Sequence, residues 1–226
     1  HRTAATLEEA AHLAVSIVSG GRVPVALEAC GLIEPDVIAL AKKRGRAPTR
    51  KFLRGLFTGG SLALEAHLIL QQQLNPVYSN ITKDQNLRVG GTQKLSGHAI
   101  IDMGEDEFTV GRPHPMIEPG YRSDRLAEEW ADPEVAVILC DLVLGYGSHP
   151  DPASALVQAI ESTKLIHGDG VSVIASVCGT EADPQVLSKQ EALLRSAGVM
   201  VYPTNAAAAS AAARLVWACN QGGGKQ

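Results

Sequence analysis

From Lys51 onward, short apolar runs alternate with longer stretches of helical periodicity, the pattern left by a parallel sheet whose strands are joined by crossover helices. The apolar runs predict strands at Phe52 to Phe57, His98 to Asp102, Val135 to Cys140, Val171 to Val177 and Val199 to Tyr202. Helices are expected at Ser61 to Leu74, Asp124 to Trp130, Pro152 to His167, Asp183 to Ala197 and Asn205 to Cys219. An extra edge strand near Pro76 to Ser79 fits the irregular stretch from Asn75 to Ser96. The expected fold is therefore α/β, a doubly wound, mainly parallel five-stranded sheet.

Ahead of this lies a segment of a different kind. Leu7, Ala10, Ala11, Ala14, Val15 and Val18 recur at helical spacing, so Thr6 to Ser19 reads as an amphipathic helix ended by Gly20-Gly21. Pro35 to Lys43 reads as a second short helix, with Pro35 near its start and Gly45 beyond its basic end, and residues 44–50 as a linker. Residues 1–49 are expected to be a helical connecting segment, 50–220 the α/β domain and 221–226 a disordered tail. Because the chain begins at His1 rather than methionine, an upstream part is expected to be missing.

Composition narrows the possible functions. A net charge of −4 gives no basic field for nucleic acid, and the short Lys42-Lys43-Arg44 run reads as a solvated helix end. No apolar run approaches the roughly 20 residues of a membrane span. Cys30, Cys140, Cys178 and Cys219 form no C-x-x-C pair, and Cys140 and Cys178 fall in apolar runs, so reduced core thiols and a cytoplasmic setting are expected. The histidines lack the paired spacing of a metal centre, and neither a G-x-S-x-G elbow nor a Walker lysine loop is present.

The polar content gathers at the carboxyl ends of the strands, where a doubly wound sheet forms its crevice. Thr58-Gly59-Gly60-Ser61 leads directly into a helix, so backbone amides there could hold an anion, although Ser61 could equally be a plain N-cap. After the second strand, Asp102, the acidic trio Glu105, Asp106 and Glu107, and then Arg112 and His114 between prolines form a stiff segment. It suits recognition of a phosphate or carboxylate, or else is a rigid loop in which Arg112 pairs with the acidic trio. The third strand delivers Asp141 and then Gly145, Gly147 and His149. That run is a second candidate cradle, in which His149 is either an acid, base or phosphoryl acceptor oriented by Asp141, or structural. The fourth ends in Gly179-Thr180, with Asp183 as N-cap and Pro184 at the first helical position. Thr204-Asn205 after the last strand is explained by capping.

Taken in order, GLFTGGSLALEA (55–66), IIDMGEDEFTVGRPHPMIEP (100–119), ADPEVAVILCDLVLGYGSHPDPA (131–153) and GTEADPQ (179–185) resemble the C-terminal ligase region of FdrA-like proteins, relatives of the succinyl-CoA synthetase α subunit. The resemblance covers about residues 50 to 220. It implies a flavodoxin-like ligase domain preceded, in the whole protein, by a CoA-binding-type Rossmann domain, and an enzyme that moves an acyl or carbamoyl group through a phosphorylated substrate or intermediate. In that reading Gly59, Gly60 and Ser61 hold phosphate, and Arg112 and His114 hold the anionic substrate or transition state. Asp141 and His149 handle protons, while Asp102, Gly145, Gly147, Gly179 and Thr180 complete the binding surface. No cofactor is implied for this domain itself; CoA, ATP or carbamoyl phosphate with Mg²⁺ would serve the full-length enzyme, which would work with partner subunits and as an oligomer. One departure stands out: the synthetases carry a transiently phosphorylated histidine after the fourth strand, and GTEADPQVLSKQEALL contains none. FdrA-like proteins are also linked to carbamoyl transfer between carbamoyl phosphate and oxamate, which needs an anion cradle but no phosphohistidine. The rival expectation is a non-catalytic docking module, marked by an exposed apolar patch on a helix face.

Overall fold

A computed structural model describes residues 3–19 and 49–221. The expected glycine pair at 20–21, Cys30, the helix at 35–43, the basic run at 42–44 and the tail beyond 221 lie outside the described residues. Among the described residues one helix, α1 (Leu7–Ser19), precedes the sheet. Then follow β1 (Phe52–Phe57), α2 (Gly60–Leu74), β2 (Val77–Ser79), β3 (His98–Asp102), α3 (Asp106–Thr109), α4 (Gly120–Ala131), β4 (Val135–Val143), α5 (Pro152–His167), β5 (Ser172–Cys178), α6 (Leu187–Ser196), β6 (Met200–Tyr202) and α7 (Asn205–Gln221).

All strand pairs are parallel, and the order is β2-β3-β1-β4-β5-β6. The sheet has six strands rather than five because the edge segment, Val77–Ser79, pairs with β3. The chain runs from β1 out to the edge strand β2, returns to β3 between the two, then crosses to β4 on the other side of β1, so the order reverses between β1 and β4. Helices cover both faces. On one, Leu126 and Trp130 of α4, Leu156 and Ile160 of α5 and Leu194 of α6 pack against the sheet. On the other, Ala63, Ala66 and Leu70 of α2 meet an alanine-rich face of α7, whose small side chains let the helix approach closely.

Three boundaries differ from the sequence reading by three or more residues, and the apolar stripe of one helix faces outward. β4 runs three residues past Cys140, because Asp141 is accommodated inside the ladder opposite Ser176 instead of ending it. Helix α4 starts at Gly120, four residues earlier than expected, right after the proline-restricted segment. Helix α6 starts at Leu187 rather than Asp183. The Asp183 carboxylate accepts from the amide and hydroxyl of Thr180, and Val186 sits at φ 59°, a conformation a β-branched residue rarely adopts and one that cannot continue a helix. Finally, the apolar stripe expected to bury α1 faces outward, with Val15 and Val18 exposed. At its amino end Leu7 N donates to Glu65 Oε1 of α2 at 2.7 Å, and Ser16 is its buried residue. Cys178 also departs from expectation: the end of β5 leaves it exposed, while Cys140 is a buried thiol pushed up to about 12 by burial.

At the amino ends of the strands, His98 Nδ1 accepts the amide hydrogen of Leu53 at 3.1 Å. Burial, with the Arg54 charge adding to it, brings this imidazole down to about 4. The folded protein therefore keeps His98 neutral where the unfolded chain, with an ordinary value of 6.5, takes up a proton. Its contribution to stability is complete above that value and is lost as pH falls from 6.5 toward about 4. His98→Asn, which retains an acceptor but cannot titrate, is expected to flatten the acid limb of stability measured by urea unfolding across that interval. An unchanged slope would assign the acid limb to other groups.

Candidate active site at the switch point

The crevice opens where β1 ends between β3 and β4. In the ladder Phe57 stands beside Asp102, and Leu56 beside Cys140, so Asp102 and Asp141 flank the last residue of β1 from either side. Both carboxylates are turned toward the Thr58-Gly59-Gly60 turn, yet they do different work.

Asp141, wholly buried, accepts from Thr58 N at 2.8 Å, Thr58 Oγ1 at 3.1 Å and Gly59 N at 2.8 Å. Arg122 of α4 lies behind it, donating to the Asp141 carbonyl at 2.7 Å with its guanidinium 3.6 Å from the carboxylate. Burial raises Asp141 while Arg122 and the three donors from Thr58 and Gly59 pull it back. Asp141 thus clasps the turn. It takes the Gly59 amide expected to face phosphate, and its carboxylate is engaged here instead of with His149.

The amides that remain are those of Gly60, Ser61 and Leu62. No side chain caps this end of α2, and the first turn of a helix has no internal acceptor for them. Ser61 is exposed and does not cap the helix; Gly59 occupies that position. Asp102 faces these amides from the β3 side. Its Oδ1 accepts from Gly104 N at 2.9 Å, and its Oδ2 lies 2.7 Å from where a Cβ on Gly60 would stand, a contact only glycine allows. The Asn80 side chain holds its backbone from both sides, donating to Asp102 O and accepting from Asp102 N. Burial raises Asp102, the Gly104 amide opposes that, Asp141 adds to it and His114 lowers it.

His114 enters across Gly104: a Cβ on that glycine would lie 2.5 Å from His114 Nε2 and 3.2 Å from Asp102 Oδ1. Its Nδ1 accepts from Met116 N at 3.2 Å, so the neutral ring carries its proton on Nε2. His149 is arranged the same way, with Nδ1 accepting from Asp151 N at 3.0 Å. A narrow cleft lined by Thr58, Met116, Arg122, Val143 and His149 adjoins an open depression of about 430 Å³. His114, Met116, Ile117, Leu144, Gly145, Gly147 and Ser148 border that depression. A larger hollow of about 490 Å³ lies behind Asn80, between Arg88 and the acidic trio. Neither histidine lines it, whereas His114 borders the smaller depression and His149 the adjoining cleft, so the chemistry favours the smaller one.

The structure therefore brings together Gly59, Gly60, Ser61, Asp102, His114 and Asp141, with Gly145, Gly147 and His149 along the adjoining depression. Arg112 stands apart, exposed, with its guanidinium 4.6 Å from the centre of the Tyr121 ring; it forms no ion pair with the acidic trio. Gly179 packs on Leu144, where any Cβ would clash at 2.7 Å, and the Thr180 amide is used by Asp183. The β5–α6 segment instead acts as a brace. Gln185 exchanges hydrogen bonds with both backbone groups of Gly145 and donates to His149 O, while Gln190 accepts from Ala153 N and donates to Asp151. Asn80, Arg122 and Gln185 carry no signal in the sequence, and Thr58 stands out there only as part of the glycine turn. Among the described residues no group of three or more His, Cys, Asp or Glu side chains is placed to hold a metal ion, and no helix is long and apolar enough to cross a membrane.

Residues 56–215, from the end of β1 into α7, match the CoA-ligase family. The chain belongs to that family. It is also similar to the uncharacterized protein YahF of Escherichia coli (strain K12), 42% identical over 157 residues, which covers 68% of this chain and 30% of that protein. The match of this CoA-ligase chain thus spans 30% of the length of that relative. The matched region contains the α2 turn, both carboxylates, both histidines of the crevice and the glutamine brace.

Proposed function

We propose that this is the ligase-type domain of an FdrA-like enzyme, transferring an acyl or carbamoyl group by way of a phosphorylated substrate or intermediate. The observation that carries this reading is the uncapped start of α2, with three amides presented beside a buried carboxylate at the point where strand order reverses. Helix amides hold the phosphoryl group, and the Asp141 clasp fixes the turn that presents them. His114, with its proton on Nε2, donates toward charge developing on the transferred group. The reacting group extends into the depression bordered by Met116, Ile117 and Leu144. CoA or ATP with Mg²⁺ would contribute the thiol or phosphoryl donor in the full-length enzyme, whose CoA-binding-type domain and partner subunits belong to the same proposal. The carbamoyl version, from carbamoyl phosphate to oxamate, is the finer alternative, supported by the absence of histidine between Gly179 and Leu194.

The test is phosphate release by the full-length protein given CoA, ATP, Mg²⁺ and a carboxylic acid, or carbamoyl phosphate and oxamate. Gly60→Val, which drives a side chain into Asp102 Oδ2, is expected to cost at least about tenfold in turnover, or ~1.4 kcal/mol of barrier. No turnover with any combination, or a fully active variant, would sink the reading. A docking role has an observation of its own: Leu64 and Leu68 of α2 and Trp217 of α7 are exposed on two helices packed on the same face. Full activity of the assembled enzyme with Gly60→Val would favour it.

A further inference from the structure

Three amides with no acceptor in the chain open α2, and one carboxylate oxygen stands against its first residue. Asp102 is only 4% exposed, and while its Oδ1 is taken by Gly104 N, its Oδ2 receives no hydrogen bond from the chain and points at Gly60. It cannot turn aside, because Asn80 fixes the backbone and Gly104 fixes the other oxygen. Nor does an arginine or lysine pair with it: Arg122, the buried guanidinium at the turn, pairs with Asp141 on the far side of β1. A helix start alone welcomes any anion. A helix start that also confronts its ligand with a fixed carboxylate oxygen favours an anion that brings a proton of its own.

We propose that the seat formed by the Gly60, Ser61 and Leu62 amides and Asp102 Oδ2 selects inorganic phosphate in its hydrogen phosphate form over fully ionised tetrahedral anions. The inference rests on the anion seat described under the proposed function and specifies its ligand. Phosphate oxygens accept from the amides, and the phosphate hydroxyl donates to Asp102 Oδ2, a charge-assisted hydrogen bond of the strong kind. Sulfate has no proton to offer, so one of its oxygens would face Oδ2 lone pair to lone pair, leaving a buried acceptor unmatched and two like charges in contact. Burial already raises Asp102, against the opposing pull of the Gly104 amide, with Asp141 adding to the rise and His114 opposing it; a shared proton is therefore welcome there. The site would then hold the phosphate that a phosphoryl-transfer step consumes or releases, and reject sulfate of the same size and shape.

The experiment is calorimetric titration of the full-length protein with inorganic phosphate, sulfate and methyl phosphate. It is run at about pH 8, where a phosphate monoester with its second pKa near ~6 is fully ionised while inorganic phosphate still carries a proton. Phosphate is expected to bind at least about tenfold more tightly than either competitor, the scale of discrimination set by an unmatched buried polar group. Asp102→Asn, which turns the acceptor into a donor of nearly the same shape, is expected to strengthen sulfate and weaken phosphate until the two lie within about threefold. Sulfate or methyl phosphate binding the natural protein as well as phosphate does would overturn the selection while leaving the anion seat standing, as would full preference retained in Asp102→Asn. Failure of all three anions to bind would remove the seat and the selection together. The comparison of the three ligands needs no variant, so the inference stays open to refutation even should Asp102→Asn not fold.

Discussion

Asp141→Ala is expected to remove about 3–5 kcal/mol of folding stability, the cost of breaking a buried charge pair by deleting one partner. The loss is large because Asp141 serves three elements at once. Without it Thr58 N, Thr58 Oγ1 and Gly59 N lose their acceptor, and Arg122, almost as deeply buried, keeps only its bond to the residue-141 carbonyl. Against a typical total stability of about 5–15 kcal/mol this is a substantial fraction. Urea unfolding followed by circular dichroism measures it. Asp141→Asn separates the contributions, since it keeps one acceptor oxygen but presents an NH₂ group to the donors and leaves Arg122 without a counter-charge. The coupling to Arg122 is read from Asp141→Ala, Arg122→Met and the double variant: removing both partners is expected to cost clearly less than the sum. Additive costs would mean that the two side chains are merely adjacent. Loss under about 1 kcal/mol for Asp141→Ala would dismiss the clasp altogether.

That a carboxylate does this explains how far the sequence could be read. The strand runs were legible because a parallel sheet buried on both faces leaves nearly continuous apolar segments, and β1 and β3 lie at the expected residues. β4 was ended too early at Cys140, because an aspartate inside a strand looks like its end until its partners are known. Those partners, Thr58 and Gly59, stand more than 80 residues away, and no local pattern joins them to it. Chemistry that is local in sequence, such as the glycine turn opening a helix, could be located; its division between two carboxylates could not. Gly59 and Gly60 look interchangeable in the sequence, yet one amide is taken by Asp141 and the other opens the seat beside Asp102.

The same limit hid the other buried charge of β1. Arg54, fully buried, donates to Glu129 Oε2 at 2.8 Å, to Leu95 O at 3.2 Å, to Asp132 Oδ2 at 3.4 Å and to Gly97 O. Arg125 holds the other oxygen of Glu129 at 2.7 Å and reaches Gln93 O. The network ties the end of α4 and the approach to β3 onto β1, on the side of the strands' amino ends, away from the crevice. Arg54→Ala leaves Glu129 half-paired, strands two carbonyls and opens a void, so a loss of about 3–5 kcal/mol or more is expected. Arg54→Lys is expected to recover only part of it, because an ammonium cannot span acceptors laid out for a planar fork. Three residues, or about 10 Å of strand, separate Arg54 from Phe57 beside the α2 turn. Phosphate affinity of the protein that remains folded is therefore expected to be unchanged in both variants, whereas Asp141→Ala lowers stability and affinity together. Calorimetry of Arg54→Lys checks this. Weakened phosphate binding there would show that the two ends of β1 are coupled, and that the stability of the sheet and the shape of the anion seat are not separable properties of this fold.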